Sequence, residues 1–127
     1  VYTTQIITNV TAGNYNTVIT DINGCTFTDD TIVMQPTQLV VTDTVTNVDC
    51  YGNETGIIDL TVFGSVPPYN YSWNSTTYVL NFRGQDITGI PADRYFYIVT
   101  DANGCVVSDS ADVTQPDSII IRMVVTD

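Results

Sequence analysis

Three cysteines are the residues of this chain most able to form a covalent link. They are Cys25, Cys50 and Cys105, in a chain of 127 residues that has no histidine. A zinc site would need closely spaced cysteines, or cysteine together with histidine, and neither pattern occurs. The cysteines therefore predict disulfide bonds, and free buried thiols are the alternative.

Acidic side chains offer a second chemistry, the binding of a cation. The stretches Asp21–Gly24 and Asp101–Gly104 share the pattern Asp-x-Asn-Gly, which resembles the opening of a calcium loop. The twelfth position of such a loop should be glutamate, but the chain has Ile32 and Asp112 there. Asn-Gly between strands is a strong hairpin signal, so we expect two hairpin turns. The weak calcium candidates are Asp21, Asn23, Asp101 and Asn103, and we expect no other cofactor or metal.

The usual catalytic arrangements are missing from the sequence. There is no histidine to activate a serine or cysteine, no glycine-rich phosphate loop, and no motif that pairs two carboxylates. We therefore predict that the protein is not an enzyme.

The charge of the chain limits its partners. Fourteen acidic residues oppose three arginines, which gives a net charge of -11 at pH 7. Such an anionic surface disfavours nucleic acid and anionic lipid because like charges repel. Apolar runs such as Ile119–Ile121 are far shorter than the roughly 20 residues that span a bilayer. We expect neither nucleic-acid binding nor membrane insertion.

The sequence repeats itself at an offset of 80 residues. Asn-Gly-Cys occurs at 23–25 and 103–105, Gln-Pro at 35–36 and 115–116, and Val-Thr at 45 and 125. Self-similarity of this kind predicts an array of small modules, each with its own core. We expect the chain to be a piece of a longer protein, with any secretion signal outside it. The repeat also implies two cysteines per module, because Cys105 repeats Cys25.

Alternating residues indicate the fold class. Thr, Val, Ile, Tyr and Asn are abundant, and apolar residues alternate at 58–62, 69–73 and 95–99. These segments predict half-buried strands and almost no helix. Turn residues at short intervals favour an all-β, immunoglobulin-like sandwich in tandem repeats. Trp73, expected on a central strand, and Tyr95 would correspond to the buried tryptophan and the tyrosine corner of such sandwiches.

The turn at Gln35–Gln38 leads to predictions about domains and disulfides. An antiparallel hairpin of residues 26–34 and 39–48 would place Cys25 opposite Cys50. The strand after Pro36 would then complete the first repeat. On this hypothesis residues 1–49 are the C-terminal part of one immunoglobulin-like repeat, and residues 50–127 are a second, nearly complete one. Cys105 would pair with a cysteine beyond the chain, and the rival pairing is Cys50 with Cys105.

Specific residues carry a family resemblance. Residues 64–73 are Gly-Ser-Val-Pro-Pro-Tyr-Asn-Tyr-Ser-Trp, and residues 100–105 are Thr-Asp-Ala-Asn-Gly-Cys. Together they resemble the SprB-type repeat, whose pattern is roughly G-G-x-x-P-Y-x-Y-x-W, then L-x-x-G-x-Y and V-T-D-x-x-G-C. The resemblance spans residues 64–105. Ser65 stands where a second glycine is usual, and Asp93 replaces the glycine before the tyrosine.

The resemblance implies a location and a role. SprB-type repeats belong to very large surface adhesins and filaments of Bacteroidetes-type bacteria, including those moved during gliding. The implied location is therefore extracellular, on the bacterial cell surface. Asp-Ser/Thr followed by an apolar residue also resembles the O-glycosylation signal of such surface proteins. The candidate glycosylation sites are Thr31, Thr44, Ser110 and Ser118.

Three functional hypotheses follow. The first is a disulfide-stabilised stalk or spacer repeat of a long secreted adhesin or fibre, whose partners are neighbouring repeats of the same chain. The second is a module that binds glycans or a surface through exposed loops. The third is a self-assembling filament subunit, whose partners are other copies in a fibre.

Overall fold

The computed structural model describes residues 3–126, which form β-strands and connecting segments without a helix. The all-β prediction is confirmed. Among these residues there is accordingly no helix long and apolar enough to cross a membrane. The strands are β1 (Gly13–Thr20), β2 (Thr26–Val33), β3 (Val40–Thr46), β4 (Gly56–Phe63), β5 (Asn70–Ser75), β6 (Ile87–Ile90), β7 (Asp93–Thr100) and β8 (Val106–Val113).

The chain divides into two compact units, Val1–Pro36 and Thr37–Asp127. The first unit is the antiparallel hairpin of β1 and β2, paired from Gly13 with Val33 to Thr20 with Thr26. Its apolar side chains remain largely in solvent: Ile19 is 60% exposed and Phe27 is 64% exposed. A lone hairpin offers one sheet with nothing packed on it, so this unit has no core of its own.

The second unit is a sandwich of two antiparallel, three-stranded sheets. Their strand orders are β3-β4-β6 and β5-β7-β8. Both sheets contribute to one core, whose largest fully buried side chains are Trp73, Tyr95, Tyr97, Ile58, Leu60, Ile87, Ile90 and Val99. Burying each large apolar side chain contributes about 1.5–3 kcal/mol to folding. The sandwich therefore has its own hydrophobic stabilisation, and the immunoglobulin-like assignment stays a prediction.

The predicted alternation is confirmed on β4 and β7. Ile58 and Leu60 are buried on β4 while Asp59 between them is exposed, and β7 alternates in the same way. Trp73, however, does not lie on a central strand, because β5 is at the edge of its sheet and β7 is in the middle. Its indole N–H donates to the Gly84 carbonyl at 3.0 Å, and its ring packs against Tyr97 with centroids 5.5 Å apart.

The hairpin predicted about Pro36 does not form. β2 pairs with β1, whereas β3 pairs with β4, so the strand after Pro36 belongs to the second unit. The reason is burial: Leu39 and Val48, at either end of β3, are only 5% and 4% exposed. The observed division thus falls between Pro36 and Thr37, rather than at residue 49 as predicted.

Two hairpins of the structure occupy corresponding positions 80 residues apart. β7 and β8 pair from Asp93 with Val113, and β1 and β2 pair from Gly13 with Val33. In the second hairpin the Tyr95 hydroxyl donates to the Pro91 carbonyl at 2.9 Å. In the first, the Tyr15 hydroxyl donates to the Thr11 carbonyl at 2.7 Å. Each bond reaches four residues back, as the tyrosine corner of a sandwich does.

Candidate functional site

The leading end of the second unit is the cluster formed by Thr37, residues 64–66 and the turn Asp101–Cys105. The Ser65 amide donates to the Thr37 carbonyl at 2.8 Å, and the Ala102 amide donates to the Val66 carbonyl at 2.9 Å. The Ser65 hydroxyl also donates to the Asp101 carboxylate. The first residue of the unit, the β4–β5 connection and the β7–β8 turn are therefore tied together.

Asp101 organises the turn between β7 and β8. It is only 3% exposed, and its Oδ1 accepts the amides of Asn103 at 3.0 Å and Cys105 at 2.6 Å. The Ser65 hydroxyl, followed by these amides, holds the pKa of Asp101 below its usual value of 3.8 despite desolvation. The carboxylate is therefore most stable ionised and serves as an acceptor for the turn.

The turn between β1 and β2 is built in the same way. Asp21 Oδ1 accepts the amides of Asn23 at 2.9 Å and Cys25 at 2.8 Å. The two hairpins predicted from Asn-Gly are thus present, and each aspartate accepts hydrogen bonds from the backbone of its own turn.

Within residues 3–126, no three Asp, Glu, His or Cys side chains gather closely enough to hold a metal ion. Calcium binding at Asp21, Asn23, Asp101 and Asn103 stays a prediction.

The backbone at residues 64–65 explains part of the glycine-rich motif. Gly64 has φ +81°, and a Cβ there would lie 2.0 Å from the Gln38 carbonyl oxygen. Ser65, where the family pattern has a second glycine, has φ 53° and so lies in the left-handed region that favours glycine. Its hydroxyl nevertheless bonds Asp101, which helps to hold the serine in that conformation.

The trailing end of the second unit is formed by the β3–β4 connection, residues 47–55, and by Thr114 and Gln115. The Val48 amide donates to the Thr114 carbonyl at 2.9 Å, and the Thr114 amide donates to Asn47 Oδ1 at 2.9 Å. The Gly52 amide donates to Gln115 Oε1 at 2.8 Å. The first two residues after β8, Thr114 and Gln115, are therefore fixed to the loop that contains Cys50.

Asp49 shapes the Cys50 loop. Its Oδ1 accepts the Thr55 hydroxyl at 2.7 Å and the Asn53 side-chain amide at 3.1 Å. These bonds lower the pKa of Asp49 below its usual 3.8, and the bond from Thr55 has the largest effect. The Asn53 backbone amide donates to the Cys50 carbonyl at 3.1 Å. Cys50 thus lies in a hydrogen-bonded loop with its thiol on the surface.

The three cysteines lie outside the strands, at the surface. Cys25, Cys50 and Cys105 are all free and exposed. The argument for a bond between Cys25 and Cys50 rested on the hairpin about Pro36, which does not form, so that bond has no support from the fold. Cys50 lies at the trailing end and Cys105 at the leading end. The length of β8, about 24 Å for eight residues, separates them.

A disulfide needs Cα atoms about 4.4–6.8 Å apart. The rival bond between Cys50 and Cys105 of one unit is therefore excluded by geometry.

The four candidate glycosylation residues are exposed in this structure: Thr31 on β2, Thr44 on β3, Ser110 on β8 and Ser118 after Pro116. Thr31 occupies the position that corresponds to Ala111, which is 5% exposed. The two positions therefore differ in environment between the hairpins.

Sequence reasoning did not identify Asp49 and Ser65 as organising residues. Nothing local marks either of them, since their partners lie 6 and 36 residues away. Gln115 is different, because its recurrence with Gln35 at the offset of 80 was a usable signal of a structural role.

The second unit is a β-sandwich whose two ends are closed by short polar connections. Residues 42–77, which run from β3 through β5, match the family model of the SprB repeat. The resemblance predicted from residues 64–105 is thereby confirmed, and the two spans share residues 64–77. SprB repeats are structural repeats that occur in surface-exposed proteins. No curated protein and no solved structure matches the chain.

Proposed function

We propose that residues 37–116 form one complete repeat of a long extracellular stalk that spaces an adhesin or fibre from the bacterial surface. The second unit begins at Thr37, directly after a Gln-Pro pair that recurs at Gln115-Pro116. A repeat from Thr37 to Pro116 has the length of the sequence offset and contains both sheets of the sandwich. This agreement between the unit boundary and the offset is the observation that carries the proposal.

The first unit supports the proposal as the end of a preceding repeat. Its hairpin has the register of β7 and β8, yet it exposes side chains whose counterparts are buried in the second unit. Ile19 is 60% exposed, whereas Val99, its counterpart, is 0% exposed. In a preceding repeat, strands equivalent to β3–β6 would cover this face.

The segment after Pro116 supports the proposal as the start of a following repeat. Ile119 is 91% exposed and Ile121 is 86% exposed, although both are large and apolar. Their counterparts at the offset of 80 are Leu39, which is 5% exposed, and Val41, which packs against the core. We infer that residues 117–126 become the first strand of the next sandwich, paired with its equivalent of β4.

The connection between repeats suits a stiff spacer. Gln115 is bound to Gly52 of its own repeat, and Asp117 corresponds to Thr37, which is bound to Ser65. Pro116 alone lies between these two anchored positions, and proline has a restricted φ. A stalk of such repeats would bend little at each junction, which is the property that a spacer needs.

O-glycosylation of exposed residues is consistent with a stalk on the cell surface. Thr44, Ser110 and Ser118 are exposed, and we propose them as the O-glycosylation sites of a secreted repeat. Thr31 would face the core of a complete preceding repeat, because it corresponds to Ala111. An intact mass of the secreted protein that matches the bare chain would contradict this modification.

Comparing two truncated chains tests the repeat boundary. Residues 37–116 should give a β-sheet circular dichroism spectrum and one cooperative unfolding transition, monitored by Trp73 fluorescence. Residues 50–127 lack β3, which pairs with β4, and this chain should be unfolded or much less stable. Equal stability of the two chains would contradict the boundary.

Electron microscopy of a chain with several repeats tests the stalk itself. Its contour length should grow by a constant increment per repeat, and a collapsed or randomly coiled chain would contradict the proposal.

A further inference from the structure

We propose that a disulfide bond joins Cys50 of one repeat to the counterpart of Cys105 in the following repeat. The proposal rests on the tandem stalk proposed above. It assigns the end faces of the sandwich as a covalent interface between consecutive copies of the same repeat.

One repeat cannot form a disulfide between its own two cysteines. Cys50 and Cys105 lie at opposite ends of β8, about 24 Å apart, which is several times the separation that a disulfide spans. Both thiols are exposed. A disulfide at either cysteine therefore requires a partner from outside its own repeat.

The path of the chain brings the two kinds of cysteine to the same junction. The chain enters the repeat at Thr37, in the cluster that contains Cys105, and leaves it at Gln115, beside the Cys50 loop. In a head-to-tail array, every junction therefore brings one trailing end to one leading end. Each junction would contain one cysteine of each kind, so every cysteine inside the array is used once.

The connection between consecutive repeats is short. Gln115 Oε1 accepts the Gly52 amide, two residues after Cys50. On the other side, the counterpart of Thr37 would be linked through the counterparts of Ser65 and Asp101 to the cysteine turn. The Cα atoms of Gln115 and Asp117 are at most about 7 Å apart. The two cysteine loops are thus anchored close to either side of Pro116.

An exposed apolar side chain lies next to each thiol in the sequence. Tyr51, next to Cys50, is 60% exposed, and Val106, next to Cys105, is 59% exposed. These apolar side chains could cover one another where two ends meet. The leading-end position is a cysteine in both visible copies, Cys25 and Cys105, and it is exposed in both.

The chemistry is a two-electron oxidation. The two thiols lose two protons and two electrons as the sulfur–sulfur bond forms. The electrons reduce an external disulfide, of a thiol–disulfide oxidoreductase or of oxidised glutathione, to two thiols. Such oxidants act in the compartments through which secreted proteins pass.

The test uses a two-repeat chain made of residues 37–127 followed by residues 48–116, so that residues 117–127 begin the second repeat. The junction variant carries Cys105→Ser in its first repeat and Cys50→Ser in its second. The matched control carries Cys50→Ser in its first repeat and Cys105→Ser in its second. Each protein then has two cysteines, in one case at the junction and in the other at the two outer ends.

After equilibration at micromolar concentration in a glutathione redox buffer, the junction variant should lose both free thiols and about 2 Da as a monomer. The control should keep two titratable or glutathionylated thiols, because its cysteines lie two repeats apart. Retention of both thiols in the junction variant would overturn the proposal, as would equal internal bonding in the control. Alanine versions of the same four substitutions check that the result does not depend on serine.

A separate readout distinguishes failure of the junction from failure of the stalk. Circular dichroism and small-angle scattering of the reduced two-repeat chain report whether it folds into two extended beads. An extended, folded chain with free thiols would be consistent with the proposed stalk and would contradict the proposed disulfide. A chain that does not fold would overturn the proposed function, and the disulfide with it.

Discussion

The hydroxyl of Ser65 donates a hydrogen bond to the buried carboxylate of Asp101, 36 residues further along the chain. The bond ties the β4–β5 connection to the β7–β8 turn, and so joins the two sheets of the sandwich at one end. It also fixes a residue with φ 53° in place. Much of the order at the leading end depends on this pair, and its ionisation gives the first prediction.

Asp101→Asn should destabilise the protein at neutral pH and reduce its sensitivity to acid. The pKa of Asp101 is lowered in the folded state, so its contribution is fully present above 3.8 and is lost as pH falls below that value. Urea titrations between pH 2.5 and 7 should therefore show the wild type approaching the variant at low pH. Asp59→Asn, on an exposed position of β4, is the control. A constant difference across this range would contradict the assignment.

Gly64→Ala should cost at least about 3 kcal/mol of unfolding free energy. The substitution combines a left-handed φ, which costs about 1–2 kcal/mol for an L-residue, with a Cβ placed 2.0 Å from the Gln38 carbonyl oxygen. Gly104→Ala is the matched control, because Gly104 has φ +85° but open space around it. Equal losses for the two variants in chemical denaturation would show that the close approach has no effect.

Tyr95→Phe should destabilise the second unit by about 1–2 kcal/mol, because the partly buried Pro91 carbonyl loses its hydrogen-bond partner. Tyr15→Phe removes the corresponding bond in the exposed first hairpin and should leave the main transition unchanged. Denaturation followed by Trp73 fluorescence compares the two variants. A similar loss in both would contradict the special role of the buried tyrosine.

The same tyrosine should make the fold sensitive to alkali. Burial, followed by nearby acidic charge, raises the pKa of Tyr95 from 10.0 to about 12. Its contribution is therefore present below pH 10 and is lost as pH rises from 10 towards 12. The melting temperature of Tyr95→Phe should fall less steeply over this range than that of the wild type. Parallel curves for the two proteins would disprove this dependence.

Leu39→Ala and Ile119→Ala occupy corresponding positions and should behave differently in this chain. Leu39 is 5% exposed, so its truncation should cost about 2–5 kcal/mol. Ile119 is 91% exposed, and its truncation should change stability by less than about 0.5 kcal/mol. In a chain extended by a full following repeat, Ile119→Ala should become as costly as Leu39→Ala. Thermal denaturation of both chains checks this reversal.

Local patterns predicted the strands and turns well. The alternation at 58–62 and 95–99 identified the inward faces of β4 and β7, because side chains in a strand point to opposite faces with a period of two. Asn-Gly identified both hairpin turns, because glycine accepts the positive φ that such turns need. The family resemblance also rested on local motifs around these elements, and the match at residues 42–77 supports it.

The predictions that failed concerned the choice of a partner. The sequence around Pro36 suits a hairpin of β2 with β3, but β3 pairs with β4 instead, which moves the unit boundary to Thr37. The predicted Cys25–Cys50 bond assumed that hairpin, so the fold gives it no support. Spacing along the chain does not reveal which of two neighbouring strands a given strand will pair with.

By itself, then, the sequence determined an anionic, all-β chain with an offset of 80 residues, because composition and periodicity act through local backbone preferences and charge. Only the tertiary structure decided that Leu39 and Val48 are buried in the second unit, and that Cys50 and Cys105 lie at its opposite ends. Those outcomes depend on how two sheets share one core, and the energy of that packing is a property of contacts between residues far apart in the chain.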